Sequence, residues 1–134
     1  MSVGAWEPKP AANTGGTEDA IPRALLQRYI DAMQADTALA DALDDAAREA
    51  SYLIRMPAQR WLDESANWNG GELWQLIRFF TLAEQQLAGW DAGAESAVIP
   101  LAKALRQRRA PLDREQLQWI KQHSDNRYLP YGPL

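Results

Sequence analysis

The sequence predicts an all-α fold: a single compact domain of about five helices packed around one central, buried helix. Three observations support this prediction. Apolar residues recur at helical spacing through most of the chain, no segment alternates apolar and polar residues as a half-buried strand does, and Pro and Gly separate the periodic segments. A length of 134 residues suits one domain and is short for two.

The central helix is predicted over residues 71–88. Apolar side chains cover one of its faces and much of the opposite face, and a helix that is hydrophobic nearly all round is expected to be buried. Gly89 is expected to supply the left-handed residue that ends it. The two faces consist of Leu73, Leu76, Ile77, Phe80 and Leu87 on one side, and of Trp74, Phe79 and Leu82 on the other.

The other helical segments are predicted from capping residues, apolar spacing and prolines. Thr17 is a good N-cap for the first. The second has the most regular spacing, and it is expected to run without interruption to Met56, because Pro57 disfavours helix in the residue before it. Asp113 and Gln116 form a capping-box pattern for the last. The predicted ranges are about 17–35, 39–56, 58–64, 98–109 and 113–123.

The expected core consists of large aliphatic and aromatic residues that share one helical face with other apolar residues. Burial of these side chains is what stabilises a helical domain of this size. They are Leu43, Leu53, Ile54, Leu73, Leu76, Ile77, Phe80, Leu101, Leu105 and Ile120.

Both ends of the chain differ in composition from the helical part. Residues 1–16 are rich in Gly and Pro and poor in periodic apolar residues, so a flexible leader is expected there, followed by the helical domain over 17–134. The tail, 124–134, is irregular and rich in Pro and Tyr. It is expected either to strap across its own domain, which is the preferred interpretation, or to dock on another protein.

Composition and charge exclude several functional classes. The net charge of −4 argues against nucleic-acid binding, which requires a basic face. The absence of cysteine excludes disulfides and thiolate chemistry. Neither a signal peptide nor a membrane span is recognisable. A soluble, acidic, cytoplasmic protein is expected, and its composition is compatible with a bacterial source.

Residues 60–78 combine polar side chains with tryptophans and form the first candidate site. Such a mixture is typical of a small-molecule pocket, and it is equally typical of a loop whose tryptophans pack on the core. Arg78, predicted among buried residues, is expected either to pair with Asp63, Glu64, Glu72 or a carbonyl of the tail, or to extend its guanidinium to the surface. The alternative is an arginine that binds an anion in a pocket. With the tail included, the candidate ligand or partner site is Arg60, Asp63, Glu64, Asn67, Trp68, Asn69, Glu72, Arg78, Arg127, Tyr128 and Tyr131.

No catalytic residue, cofactor or metal is predicted. The segment from Asp63 resembles a calcium-binding loop superficially, but Trp68 and Trp74 stand where that loop needs Gly and Glu. His123, the sole histidine, lacks the Glu-x-x-His pattern of a di-iron centre and is expected at the surface. The short basic run near residue 109 is expected to complement a helix dipole.

Two functional hypotheses follow. The first is a non-enzymatic protein–protein interaction or regulatory module that uses exposed aromatic and acidic surface, with a protein partner or a second copy of the chain as the binding partner. The alternative is a small-molecule-binding protein or enzyme with its pocket around residues 60–78. The aromatic residues expected to be exposed are Trp6, Trp68, Trp90, Tyr128 and Tyr131.

Overall fold

The computed structural model of the protein describes residues 21–35 and 39–132, apart from the side chain of Ala40. The predicted leader, Thr17 and Trp6 lie outside the described residues. Within them the chain forms helices and irregular segments and no strand. The predicted all-α fold class is confirmed.

The helices follow one another with short connections. Two single-turn 3₁₀ segments, Ser51–Arg55 and Gly93–Glu95, interrupt the series. The α-helices are α1 (Arg23–Ala35), α2 (Leu39–Ala42), α3 (Asp45–Glu49), α4 (Ala58–Ser65), α5 (Gly70–Gln86), α6 (Val98–Gln107) and α7 (Arg114–His123).

Helix α5 is the central element that the sequence predicted. Helices α1, α2, α6 and α7 all pack against it, and α4 packs against α6. Phe79 and Phe80 are fully buried on different faces of the helix, which explains why apolar residues surround most of its axis. All ten residues of the predicted core are buried.

The prediction that the second helix is continuous is wrong. Instead of one helix over 39–56, the chain forms α2, α3 and a 3₁₀ turn. The break occurs at Asp44, whose extended backbone and side chain cap α3 by accepting a hydrogen bond of 2.9 Å from the amide of Ala47. A short acidic side chain that bonds a nearby amide competes with helix propagation, and apolar spacing does not reveal this competition.

Three aromatic side chains satisfy the backbone of this broken segment. The Tyr29 hydroxyl donates to the Ala47 carbonyl at 2.8 Å. The Trp90 indole donates to the carbonyl of Arg48 at 2.8 Å, and the Trp61 indole donates to that of Leu53 at 3.1 Å. The last carbonyls of a helix have no partner within it. Tyr29 and Trp90 therefore bond carbonyls that a continuous helix would have bonded internally, and Trp61 adds a bond to the Leu53 carbonyl, which also accepts from the amide of Met56.

The rings of these donors form one cluster with two phenylalanines of α5. Tyr29 stacks on Phe79 with centroids 3.9 Å apart, and Trp61 meets Phe80 edge to face at 5.3 Å. Trp90 meets Phe79 edge to face at 5.5 Å. Trp90 is fully buried, so the prediction of an exposed Trp90 is wrong.

A turn after α5 delivers Trp90 to this cluster. The amide of Trp90 bonds the Leu87 carbonyl, and Gly89 has a φ of 85°, as predicted for the residue that ends the central helix region. Glycine reaches this left-handed conformation without a steric penalty. Arg55 fixes the same turn by donating to the carbonyls of Gly89 and Asp91.

The C-terminal segment straps across its own domain over the described residues 124–132. The Asn126 amide group donates to Glu84 of α5 at 3.1 Å and to the Gly93 carbonyl at 2.9 Å. Leu129 and Pro130 are buried. The preferred prediction for the tail is therefore confirmed in this range.

None of the helices in the described residues has both the length and the apolar character that crossing a bilayer requires.

We expect Asp44 to make the free energy of unfolding depend on pH in the acid range. The bond from the Ala47 amide, and then Arg28 at 2.5 Å, lower the pKa of Asp44. Its contribution is therefore present above the unfolded-state pKa, about 3.9, and is lost as the pH falls through the folded-state pKa. Asp44→Asn keeps a capping oxygen and removes the charge.

Urea denaturation of the native protein and of Asp44→Asn, between neutral and strongly acidic pH, measures this contribution. The stability difference in favour of the native protein should shrink as the pH falls. A difference that does not change with pH would contradict the assignment. Asp41→Asn, at an exposed residue of α2, is the matched control.

Candidate functional site

The acidic side chains of the first candidate site are engaged in structural contacts. Glu64 accepts hydrogen bonds from Arg23 at 2.9 Å and from the Trp68 indole at 3.0 Å, and its side chain is only 10% exposed. Asp63 is exposed and accepts from Gln59, one turn earlier on α4, at 2.9 Å. The two carboxylates therefore stabilise α4 and its connections.

The amide and acidic side chains that follow form the N-terminal cap of α5. The Asn69 side chain accepts from the Glu72 amide at 2.8 Å, and the Glu72 carboxylate accepts from the Asn69 amide at 2.9 Å. This reciprocal pair is a capping box. Asn67 is exposed and lies in the turn before it. The polar content of 67–72 is thus explained by the start of the central helix.

Arg78 is half-buried on α5 and packs against Trp119 of α7 rather than beside one of the predicted carboxylates. It donates to Gln75 at 2.8 Å, and its guanidinium lies 5.4 Å from the centre of the Trp119 ring. In the described part of the chain no carboxylate lies within 4.0 Å of it. A guanidinium at the surface needs no carboxylate, because water solvates its remaining donors.

Arg60 belongs to the same region and is exposed on α4. The candidates of the tail lie apart from it. Arg127 is exposed, and its guanidinium lies 5.3 Å from the ring of the half-buried Tyr128. Tyr131, also half-buried, contacts Arg106 of α6. The candidate residues of 60–78 therefore form caps and pairs, and Tyr131 belongs to a different surface.

Arg108 is a structural residue that the sequence reasoning missed. It donates to the Ser65 carbonyl at 2.8 Å and to the Trp68 carbonyl at 3.0 Å, which caps the C-terminal end of α4. Its partners lie about 40 positions earlier in the chain. No local pattern connects these segments, and the basic run around Arg108 resembled a solvated helix end.

An open groove lies between α6 and the C-terminal segment, and it differs chemically from the rest of the surface. Its volume is about 460 Å³, which is in the range of ligand sites in proteins. The Arg106 guanidinium lies 4.7 Å from the centre of the Tyr131 ring and forms one wall. We call this the α6 groove; its lining residues are Ile99, Lys103, Arg106, Gln107 and Tyr131.

A second groove of about 300 Å³ meets the first at Ile99, which lines both. Its lining is more apolar and includes Met56, Pro57 and Pro100, with Glu95 and Arg55 at its edge. We call the two neighbouring grooves together the furrow; the first carries the cations, and the second has the more apolar lining.

The two cations that line the α6 groove, and Arg109 beyond it, have no carboxylate partner among the described residues. No carboxylate lies within 4.0 Å of Lys103, Arg106 or Arg109 in the part of the chain that the structure describes. All three are exposed. Four of the chain's 14 Lys and Arg residues lie within 103–109, although the whole chain carries a net charge of −4. The groove is therefore a local basic surface on an acidic protein.

The aromatic surface differs from the prediction. Trp68, Tyr128 and Tyr131 are half-buried, and Tyr52 is the exposed large hydrophobic side chain of the described residues, at 44%. Trp74 and Trp119 form a half-buried pair with centroids 5.7 Å apart, and His123 stacks on Trp119 at 4.2 Å. Among the described residues, no group of three His, Asp or Glu side chains is placed to hold a metal ion.

Comparison of the chain with models of known protein families, with curated proteins and with solved structures finds no match. The function is therefore inferred from the residues and the geometry of the chain itself.

We expect Asn69 and Asn67 to differ in their effect on stability. Asn69→Ala removes the N-cap oxygen of α5 and should lower the free energy of unfolding by about 0.5–2 kcal/mol. Asn67→Ala, at an exposed turn residue two positions earlier, should change it by less than about 0.5 kcal/mol. Chemical denaturation of both variants measures the difference. Equal losses, or a larger loss for Asn67→Ala, would contradict the assigned roles.

Proposed function

We propose that the protein is a non-enzymatic protein–protein interaction module and that the α6 groove is its docking surface. The observation that carries this proposal is the stack of Arg106 on Tyr131 at the wall of an open groove with an aliphatic residue, Ile99, in its lining. Arg and Tyr are the residue types that dominate binding energy at protein interfaces, together with Trp.

The shape of the furrow supports a protein segment as the occupant. Its two parts have volumes of about 460 and 300 Å³ and meet at Ile99, so the surface is elongated and open. Small molecules bind in concave sites that bury most of their surface. An open furrow instead suits an extended segment that contacts several side chains in succession.

The alternative is a small-molecule-binding protein or enzyme with a pocket around residues 60–78. The contacts of Glu64, Asn69 and Glu72 reduce the support for it, because each of these side chains already serves a helix or a cap. We also propose the cytoplasmic location that the sequence predicts. The proposed occupant is a segment of a protein partner or of a second copy of the chain.

Site-specific photocrosslinking in cells of the source organism tests the proposal. A photoreactive residue at Gln107, which is exposed and lines the groove, should give a discrete crosslinked product with another protein or with a second copy. The matched control is Gln118, which is exposed on α7 and is absent from the lining of the α6 groove.

Identical products from both positions, or none from Gln107, would contradict the proposal. A thermal-shift screen of metabolites addresses the alternative, because a ligand that binds the native state raises the midpoint of unfolding. Stabilisation by a metabolite that is abolished by a substitution in residues 60–78, but not by Gln107→Ala, would favour the alternative function.

A further inference from the structure

We infer that the partner segment seated in the α6 groove is acidic, with carboxylates that pair with Lys103 and Arg106. This inference rests on the proposed function and specifies the chemistry of the partner. The two cations line the groove, are exposed, and have no carboxylate within 4.0 Å in the described residues. No acidic residue is among the five that line it.

The spacing of the cations suits an extended segment. Lys103 and Arg106 are three residues apart on one face of α6, so their Cβ atoms lie about 5–6 Å apart. In an extended chain, alternate side chains point to the same side and are about 6–7 Å apart. Two acidic residues separated by one residue therefore match the two cations.

The apolar part of the furrow specifies the rest of the segment. Ile99 lies one turn before Lys103. It also lines the second groove, together with Met56, Pro57 and Pro100. Glu95 and Arg55 border that surface, and Arg55 already donates to the carbonyls of Gly89 and Asp91. We therefore expect acidic residues at one end of the partner segment and apolar residues at the other.

A protein segment is favoured over nucleic acid because of the charge of the whole chain. The net charge is −4, so a polyanion that extends beyond the groove is repelled by the rest of the molecule. A short acidic segment that ends within the furrow meets only its cationic part. Nucleic acid is accordingly an outcome that the experiment must distinguish.

Titration with three probes tests the inference on the full chain at low ionic strength. The first is a blocked octapeptide that alternates Asp and Leu, the second replaces each Asp by Asn, and the third is a short oligothymidylate of matching charge. The acidic peptide should bind about tenfold tighter than the Asn peptide, which corresponds to about 1.4 kcal/mol. Its affinity should fall as salt is added.

Two double variants with the same change in net charge provide the matched comparison. Lys103→Gln with Arg106→Gln should weaken binding of the acidic peptide about tenfold, as expected for the loss of two charge pairs. Lys121→Gln with Arg114→Gln removes two exposed charges of α7 and should leave the affinity within about twofold.

Each contrary outcome has a defined meaning. Equal affinities for the Asp and Asn peptides, no binding of the acidic peptide, or equal effects of the two double variants would overturn the inference. Tighter binding of the oligothymidylate would replace the protein segment by a nucleic acid. If the Gln107 crosslink persists in Lys103→Gln, which keeps the Arg106–Tyr131 stack, while the Asp and Asn peptides bind equally, the acidic partner is wrong and the docking surface stands. If a photoreactive residue at Gln107 gives no crosslink in the otherwise native protein, the docking surface itself is refuted.

Discussion

The buried aromatic donors are the interaction on which the rest of the structure depends. Tyr29, Trp61 and Trp90 are each fully buried, and each bonds a backbone carbonyl, two of them in α3 and one in the 3₁₀ segment that follows it. A buried carbonyl without a partner costs about 1–3 kcal/mol. One group of rings therefore supplies both the hydrophobic contacts with Phe79 and Phe80 and the polar bonds that allow the chain to leave the helical path.

This arrangement also determines where the candidate site lies. The broken segment continues into Met56 and Pro57, which form the apolar end of the furrow. Arg55 binds the turn after α5, and Trp90 anchors that turn in the core. Asn126 donates a hydrogen bond to Glu84 and so fixes the C-terminal segment, which carries Tyr131. The α6 groove is thus formed between a regular helix and an irregular C-terminal segment that side-chain hydrogen bonds hold in place.

The sequence predicted the regular part of this structure and missed the irregular part for physical reasons. Periodicity identified α5, the last two helices and all ten core residues, because burial of one helical face is encoded locally. It failed between 39 and 56, where Asp44 and distant aromatic donors outweigh apolar spacing. Asn69 and Glu72 were expected in a candidate pocket, whereas they form a capping box. The α6 groove was not predicted, because it joins Ile99 to Tyr131 and no local pattern relates segments so far apart.

The most direct test of this account is the stability of Tyr29→Phe, which removes only the hydroxyl that bonds the Ala47 carbonyl. The account predicts a decrease of about 1–3 kcal/mol in the free energy of unfolding, because the carbonyl is left buried without its partner. Tyr52→Phe makes the same chemical change at a side chain that is 44% exposed and should change stability by less than about 0.5 kcal/mol. Equal, small effects of the two substitutions in chemical denaturation would contradict the central role of the aromatic donors.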